Sequence, residues 1–540
     1  MKSPFPLSAL FVFAAGLVAC GPAQDVSEQS ADDLTSLTAV EKTVSFDSYL
    51  DVPASMSDTA IEQAVHTSLR VAFGAFRTNQ VGLNDRELHG NLDPKAFIKV
   101  PMTLVSGTTS KNYVRVKYHY TDRAVVPVSL SSRSTFGLAT LAADYQSRIG
   151  DVLDKAGCSD GGHETTEFRA DAWYIFNPTT YTCQRAIGAE QKAIATERAA
   201  LRDASKLGPV EAQRLFFPTI ATFTSVAGAP TEYPEYDRLW GIGSTKTKFV
   251  VQGINGQLAD WADPNATRGL DDEGYHEFMK QLRVILAGHP ELKLVSSENV
   301  DLVHYNVGGT AVSATWGDLF AWELDGNFPA AARTASARQT LRQNVYDNVF
   351  QHQLIFQAPF TVSTAKAKGS KKPNVSKTVT LEVRMYYGDD GSSSEPFRAA
   401  FGDADVFVYN GHSYIGHGPM DPGNFSASDF PNKYQIFVFD SCVSFNYYEK
   451  GFFEMHPGGS KNLDVITNGL ESATSDSGGS MGRLIATLID GKGKSYTSIL
   501  KAAQFQEGWG SGSGDALRVV DGELDNAWTP ATKPMTVTAK

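Results

Sequence analysis

The chain has 540 residues and a formal net charge of −12 at neutral pH. Its hydrophobic fraction of 42% and charged fraction of 20% are typical of a folded globular protein, and the length is sufficient for two domains. An acidic chain without a basic stripe argues against a nucleic-acid partner, because the phosphate backbone is bound mainly by lysine and arginine.

The amino terminus has the features of a bacterial export signal. An apolar stretch from Phe5 to Leu17 follows Lys2 and is too short to span a bilayer. The residues Leu17-Val18-Ala19-Cys20 resemble the lipobox of bacterial lipoproteins. The resemblance implies that residues 1–19 are removed as a signal peptide and that Cys20 is lipidated. We expect a protein attached to the cell envelope by this lipid alone, on the outer membrane and facing the periplasm or the cell surface.

A polar segment and two folded domains are expected to follow. Residues 20–42 are poor in large apolar side chains and predict a solvated tether. Residues 43–235 mix helix and strand patterns and predict a separate α+β domain of unknown role. In residues 245–515 strand and helix patterns alternate, which indicates an α/β domain with a mostly parallel sheet flanked by helices. Residues 516–540 are predicted to form a polar tail.

Apolar periodicity gives the individual elements. The predicted helices cover residues 60–77, 138–155, 186–206, 273–287, 330–349, 443–455 and 482–490. The predicted strands cover residues 96–105, 113–130, 172–176, 248–254, 292–300, 352–362, 378–387, 406–410, 436–439 and 463–467.

The cysteines divide into three classes. Export places the chain in an oxidising compartment, so Cys158 and Cys183 predict a disulfide. With Cys20 lipidated and this pair bonded, Cys442 is the remaining thiol. It is either a catalytic nucleophile or a buried, inert cysteine on a core strand.

Two predicted strands end in reactive side chains. The apolar run Val406–Asn410 is followed by Gly411-His412, and the run at 436–439 is followed by Asp440-Ser441-Cys442. Open α/β folds place their sites at the carboxyl ends of parallel strands, so these two ends are expected to lie side by side. A thiol beside a base is the minimum requirement for nucleophilic catalysis by cysteine.

The same residues resemble a known family. Tyr409-Asn410-Gly411-His412 is similar to the strand-end motif of the caspase–gingipain superfamily, and Asp440-Ser441-Cys442 is similar to the nucleophile motif of metacaspases. The resemblance implies a caspase-like fold, Cys442 as nucleophile and His412 as base or acid. It also implies an oxyanion site formed by the backbone N–H groups of Ser413 and Cys442. A helix after Cys442 is expected to lower the pKa of the thiol. The expected activity is that of a cysteine endopeptidase acting on proteins or peptides.

Departures from the family pattern leave other functions open. Ser413 stands where the family usually has glycine, and the tripeptide Gly416-His417-Gly418 offers a second histidine. A degenerate, non-catalytic lipoprotein that binds or assembles envelope components is the alternative from another functional class. A serine hydrolase with Ser413 or Ser480 in a nucleophile elbow is a further candidate.

No cofactor or metal site is predicted. The stretch that begins at His163 starts like a zinc-binding helix but carries glutamate where the second histidine should stand.

Overall fold

A computed structural model describes residues 34–86, 88, 92–161, 166–226, 233–258, 269–298, 300–364, 375–388, 397–472, 476–504 and 516–540. These residues form an α/β protein with a sheet of ten strands, a sheet of seven strands and a two-stranded hairpin. The predicted α/β class is therefore confirmed.

The first part of the chain supplies all seven strands of the smaller sheet and one short edge strand of the ten-stranded sheet. Its strands are β1 (Thr35–Ser36), β2 (Ala39–Pro53), β3 (Gly82–Leu83), β4 (Ile98–Ser106), β5 (Thr109–Pro127), β6 (Thr135–Leu141), β7 (Lys206–Leu207) and β8 (Phe216–Ser225). Its helices are α1 (Asp58–Arg70), α2 (Ala72–Arg77), α3 (Ala172–Ile175), α4 (Tyr181–Leu201) and α5 (Pro209–Ala212).

The second part of the chain supplies most of the ten-stranded sheet. Its strands are β9 (Lys248–Gly256), β10 (Lys293–Ser296), β11 (His304–Val307), β12 (Thr310–Ser313), β13 (Leu354–Thr364), β14 (Ser376–Gly388), β15 (Val406–Asn410), β16 (Gln435–Asp440), β17 (Leu463–Asn468), β18 (Arg518–Asp521) and β19 (Met535–Ala539). Its helices are α6 (Tyr236–Leu239), α7 (Glu273–Gly288), α8 (Trp316–Glu323), α9 (Ala335–Val349), α10 (Phe397–Asp403), α11 (Ser444–Tyr447), α12 (Glu449–Met455), α13 (Ser477–Leu488) and α14 (Tyr496–Ala502).

The seven-stranded sheet is built around the antiparallel pair β2 and β5, in the order β6-β8-β2-β5-β4-β7 with β3 beside β5. Buried and more exposed side chains alternate along β2, as expected when one face of a sheet packs against the core. Helix α1 begins after Ser57, whose side chain accepts a hydrogen bond from the Ala60 N–H, and it buries Ile61, Val65 and Leu69 at helical spacing.

The centre of the ten-stranded sheet is parallel. Its order is β1-β18-β17-β16-β15-β9-β14-β13-β10, with β19 beside β13. The five neighbouring strands β17, β16, β15, β9 and β14 run parallel to one another. In β15 the side chains of Val406 and Val408 enter one hydrophobic cluster, whereas Phe407 and Tyr409 enter another. Both faces of this strand are buried, which explains its uninterrupted apolar sequence.

The two sheets share a core. A single hydrophobic cluster contains Phe73 and Phe76 from α2 together with Phe437 and Phe439 from β16. Contacts place the described residues from Leu34 onward in one compact unit, so residues 43–235 do not stand apart as the separate domain that the composition suggested.

Several predicted segments differ from the structure. Residues 35–36 and 39–42 of the predicted tether lie in β1 and β2, and the predicted tail 516–540 contributes β18 and β19 to the large sheet. Residues 138–155 were expected to be helical, but β6 covers 135–141 because it pairs with β8. The predicted strand at 172–176 is the short helix α3.

The predicted disulfide between Cys158 and Cys183 is confirmed. Both residues are fully buried, and the bond joins the loop before α3 to the first turn of α4. Because the bridge closes a loop with a sequence separation of 25, it restricts the unfolded chain.

We expect the Cys158→Ala/Cys183→Ala variant to lose about 3 kcal/mol of unfolding free energy. Urea unfolding with and without reductant is the measurement. Reductant should destabilise the wild type and leave the double variant unchanged; an equal response of the two proteins would contradict the prediction.

Candidate active site

Two neighbouring strands bring the predicted reactive residues to one edge of the sheet. β15 and β16 pair in parallel, with Asn410 opposite Asp440 at their carboxyl ends. His412 and Cys442 each follow two residues after this pair. The sheet therefore positions both side chains at the same edge, as the strand-end pattern predicted.

The backbone around His412 is tightly fixed. The Tyr409 hydroxyl donates a hydrogen bond of 2.9 Å to the His412 carbonyl oxygen. A Cβ on Gly411 would lie 2.5 Å from that hydroxyl, so glycine allows the close approach. The imidazole Nε2 lies 3.4 Å from the Leu258 carbonyl oxygen, and the ring packs edge-on against Tyr414 at 5.5 Å between centroids.

Ser413 occupies its position without backbone strain. Its φ of −85° and ψ of −18° are accessible to any L-residue, so the freedom of glycine is not needed there. The left-handed conformations come immediately afterwards, at Tyr414, Ile415 and Gly416, with φ of 49°, 54° and 84°. Sparsely populated backbone conformations of this kind cluster at ligand-binding and catalytic loops.

A second strained residue follows Cys442. Val443 has φ of 53°, which is rare for a β-branched side chain, and its N–H donates 2.9 Å to the Leu470 carbonyl oxygen. Strained backbone therefore begins two residues after His412 and directly after Cys442.

The surroundings of Cys442 keep its thiol protonated. The residue is partly exposed, yet its Sγ packs among core residues and lies 3.9 Å from the Ser472 carbonyl oxygen. Burial, followed by the negative charge of Glu471, raises the pKa of the thiol to about 11. The expectation of a lowered pKa was wrong. The helices after Cys442, α11 and α12, are short and separate, so the one continuous helix that was expected to act on the thiol does not form.

Residues from the first part of the chain anchor Glu471. Its carboxylate accepts hydrogen bonds from the Arg77 guanidinium and, at 3.1 Å, from the Tyr174 hydroxyl. Arg77 also donates to Asp160 at 2.6 Å. These residues were not recognised as functional, since no local motif marks them and only the tertiary fold brings them to the thiol.

Neutralising Glu471 is expected to lower the pKa of the Cys442 thiol. In Glu471→Gln the negative charge with the largest effect on the thiol is removed while burial remains, so alkylation by iodoacetamide at moderately alkaline pH should be roughly threefold faster or more. The measurement is the pH profile of the labelling rate. Glu62→Gln, which removes a charge from the surface of α1, serves as control, and identical profiles for all three proteins would show that Glu471 does not act on the thiol.

The predicted catalytic pair is not in contact. Within the described ranges no hydrogen bond joins the His412 ring to Cys442 Sγ, and the bonds of each side chain go to a backbone carbonyl oxygen. The amide N–H groups of Ser413 and Cys442 donate to no other described residue, which leaves them available as oxyanion donors.

The other candidate residues have different environments. His417 is exposed, with Nδ1 2.7 Å from the Arg86 guanidinium and 3.6 Å from Asp421. Ser480 is fully buried inside α13, and its hydroxyl donates to the Ala503 carbonyl oxygen. A Cβ on Gly478 would overlap the Glu277 backbone of α7, so this glycine allows close helix packing rather than forming a nucleophile elbow.

Some predicted residues cannot be compared with the structure. Cys20, the signal peptide and the partial zinc motif at His163 lie outside the described residues. In the described part of the chain, no helix is long and apolar enough to cross a membrane, and no cluster of ligating side chains could hold a metal ion.

Comparisons with protein-family models, with curated proteins and with solved structures give no match for this chain. The function has to be inferred from the geometry of the site itself.

Proposed function

We propose that the protein is a cysteine endopeptidase in which Cys442 is the nucleophile and His412 the proton-transfer residue. The observation that carries the proposal is the parallel, in-register pairing of β15 and β16, which end immediately before these residues. The resemblance to the caspase–gingipain superfamily supports it, because that family also delivers a histidine and then a cysteine from consecutive strands. A further strand and helix, β17 and α13, follow the cysteine strand as in that family.

The reaction would proceed through a thioester. With substrate bound, the thiol of Cys442 gives its proton to the imidazole of His412, and its sulfur forms a bond to the peptide carbonyl carbon as the carbonyl π bond opens. The resulting oxyanion accepts hydrogen bonds from the N–H groups of Ser413 and Cys442. His412 donates a proton to the amine as the carbon–nitrogen bond breaks, and water then hydrolyses the thioester.

On this proposal, the enzyme without substrate is in an inactive resting state. With a thiol pKa of about 11, roughly one molecule in ten thousand carries a thiolate at neutral pH. The separation of the two side chains agrees with the family, in which the dyad often works across the bound substrate.

The cellular setting is part of the same proposal. Lipidation at Cys20 would hold the protein on the bacterial envelope, outer membrane included, facing the periplasm or the cell surface, and the buried disulfide is consistent with export. Its substrates would be proteins or peptides in that compartment.

A non-catalytic binding lipoprotein is the second candidate. The raised thiol pKa favours it, because inert cysteines are typically buried and protonated. The aromatic residues after Cys442, among them Tyr448 and Phe452, are core residues and offer no exposed ligand-binding surface of their own.

The test is cleavage of an unbiased peptide library by the full chain and by its Cys442→Ala variant. The peptidase proposal expects cleavage by the wild type alone. Equal cleavage by both proteins, or none by either, would reject it.

A further inference from the structure

A cavity lies at the edge of the large sheet opposite to the candidate active site. It has a volume of about 620 Å³, within the range of small-molecule sites, and it is formed where β9, β15 and β16 begin. Its walls are the loop before β9 and the residues just before β15 and β16. The residues that matter most are Arg238, Lys246, Asp405, Lys433 and Tyr434.

One buried carboxylate is shared by two lysines in this cavity. Asp405 is almost completely buried, and its Oδ1 lies 2.8 Å from Lys246 Nζ and 3.0 Å from Lys433 Nζ. Its Oδ2 accepts a hydrogen bond of 2.9 Å from the Val250 N–H. A single negative charge therefore faces two ammonium groups.

Two further cations have only neutral partners. The Arg238 guanidinium donates 2.8 Å to the Lys461 carbonyl oxygen, also bonds Asn462, and lies 4.9 Å above the Tyr434 ring. Lys377, behind the same loop, donates to the carbonyl oxygens of Gly241 and Lys246. Among the described carboxylates, none forms an ion pair with either cation.

Nearby acidic residues do not neutralise these positive charges, because each of them pairs with another cation. Asp403 pairs with Arg384 at 2.6 Å, and Glu382 pairs with Lys248 at 2.8 Å. Asp405 thus carries the charge of Lys246 and Lys433 alone, while Arg238 lines the same cavity and Lys377 lies behind its wall. Burial, and in smaller part Lys433 and Lys377, lower the pKa of Lys246, as expected where positive charges are crowded.

We propose that this cavity binds a small polyanion, with Lys246, Lys433 and Arg238 as its charged ligands. Phosphate and carboxylate groups share the required chemistry, since both accept several charge-assisted hydrogen bonds from amines and guanidinium groups. The site is independent of the peptidase proposal, because it lies at the edge of the sheet away from Cys442.

Calorimetric titration of the full chain with pyrophosphate and with citrate, at constant ionic strength, tests the proposal. Saturable binding of either anion is expected, and the stronger one identifies phosphate or carboxylate as the preferred group. Lys433→Gln should weaken binding about tenfold or more. Lys155→Gln, which makes the same charge change at an exposed site, should bind as the wild type does.

A footprinting measurement needs no variant. The anion that binds should slow acetylation of Lys246 and Lys433 in the wild type and leave Lys155 unaffected. The proposal is overturned if neither anion binds saturably, if Lys433→Gln folds and binds like the wild type, or if the protection falls on other lysines.

Discussion

Replacing Cys442 by alanine is expected to reduce peptide cleavage by at least about a thousandfold, because the sulfur that would bond to the carbonyl carbon is absent. The variant should fold, since Cys442 is only partly buried and the hydrogen bond from its thiol to the Ser472 carbonyl oxygen is a weak contact of 3.9 Å. Melting temperature and circular dichroism establish this before activity is compared. Cleavage should be followed by mass spectrometry at neutral and alkaline pH, because the raised thiol pKa places the thiolate in the alkaline range.

The two histidines provide the matched comparison. His412→Ala should lose at least about a hundredfold in cleavage, since its imidazole is the proposed proton-transfer group. His417→Ala should retain cleavage, because that ring is exposed and interacts with Arg86 and Asp421 at the surface. If His417→Ala is the inactive variant, the assignment of the histidine is wrong even though the cysteine is correct.

The strand ends of the candidate site were predictable because their signals are local. The run Val406–Asn410 is apolar on both faces and ends at a glycine, and the strand has the limits that this pattern predicts. Helix α7 was predicted with similar success, since its apolar spacing follows the capping residue Asp272. In both cases the neighbouring residues alone determine the element.

Elements that depend on distant partners were missed. β18 has four residues and is held by β17 and by β1 from the other end of the chain, so its sequence alone resembles a polar tail. Contacts at the candidate active site were missed for the same reason. Arg77 reaches Glu471 across a sequence separation of 394, and no periodicity or motif reports such a contact.

At Ser413 the family pattern points to the wrong residue for backbone strain. The family pattern made serine there a reason to doubt catalysis, yet the strained backbone lies at 414–416 and Ser413 itself has ordinary dihedral angles. Sequence similarity locates a loop but does not tell which of its residues adopts the left-handed conformation.

Arg123→Met is expected to have the largest effect on stability of any single substitution proposed for this protein. Arg123, on β5, is largely buried and lies 2.7 Å from Glu41, 3.2 Å from Glu449 and 2.9 Å from Asp521. It therefore links the seven-stranded sheet to α12 and β18 of the second part of the chain. Methionine keeps much of the side-chain volume but leaves the carboxyl groups without their cation, at a cost of about 3–5 kcal/mol.

Protonation of Glu449 moderates this loss in a way that can be measured. Burial raises the pKa of Glu449 far above its usual value, and the negative charge of Asp521 adds to this shift. For Asp521, burial acts to raise the pKa, but the positive charge of Arg123 opposes burial and the pKa is lowered overall. A raised carboxyl pKa means that the folded protein holds a proton which the unfolded chain releases. The contribution of Glu449 is therefore fully present below its unfolded pKa and is lost as pH rises through the folded value.

Urea unfolding as a function of pH separates these effects. In Glu449→Gln, the free energy of unfolding should decline less steeply as the pH rises. The double variant Arg123→Met/Glu449→Gln should regain part of the stability that Arg123→Met loses, because one buried acid no longer requires a cation. Lys99→Met, which removes an exposed partner of Asp58, is the control and should change stability little. If Arg123→Met were as stable as this control, the buried carboxyl groups would not depend on Arg123, and the two sheets would be held together by their shared hydrophobic core and by other contacts such as Arg77 with Glu471.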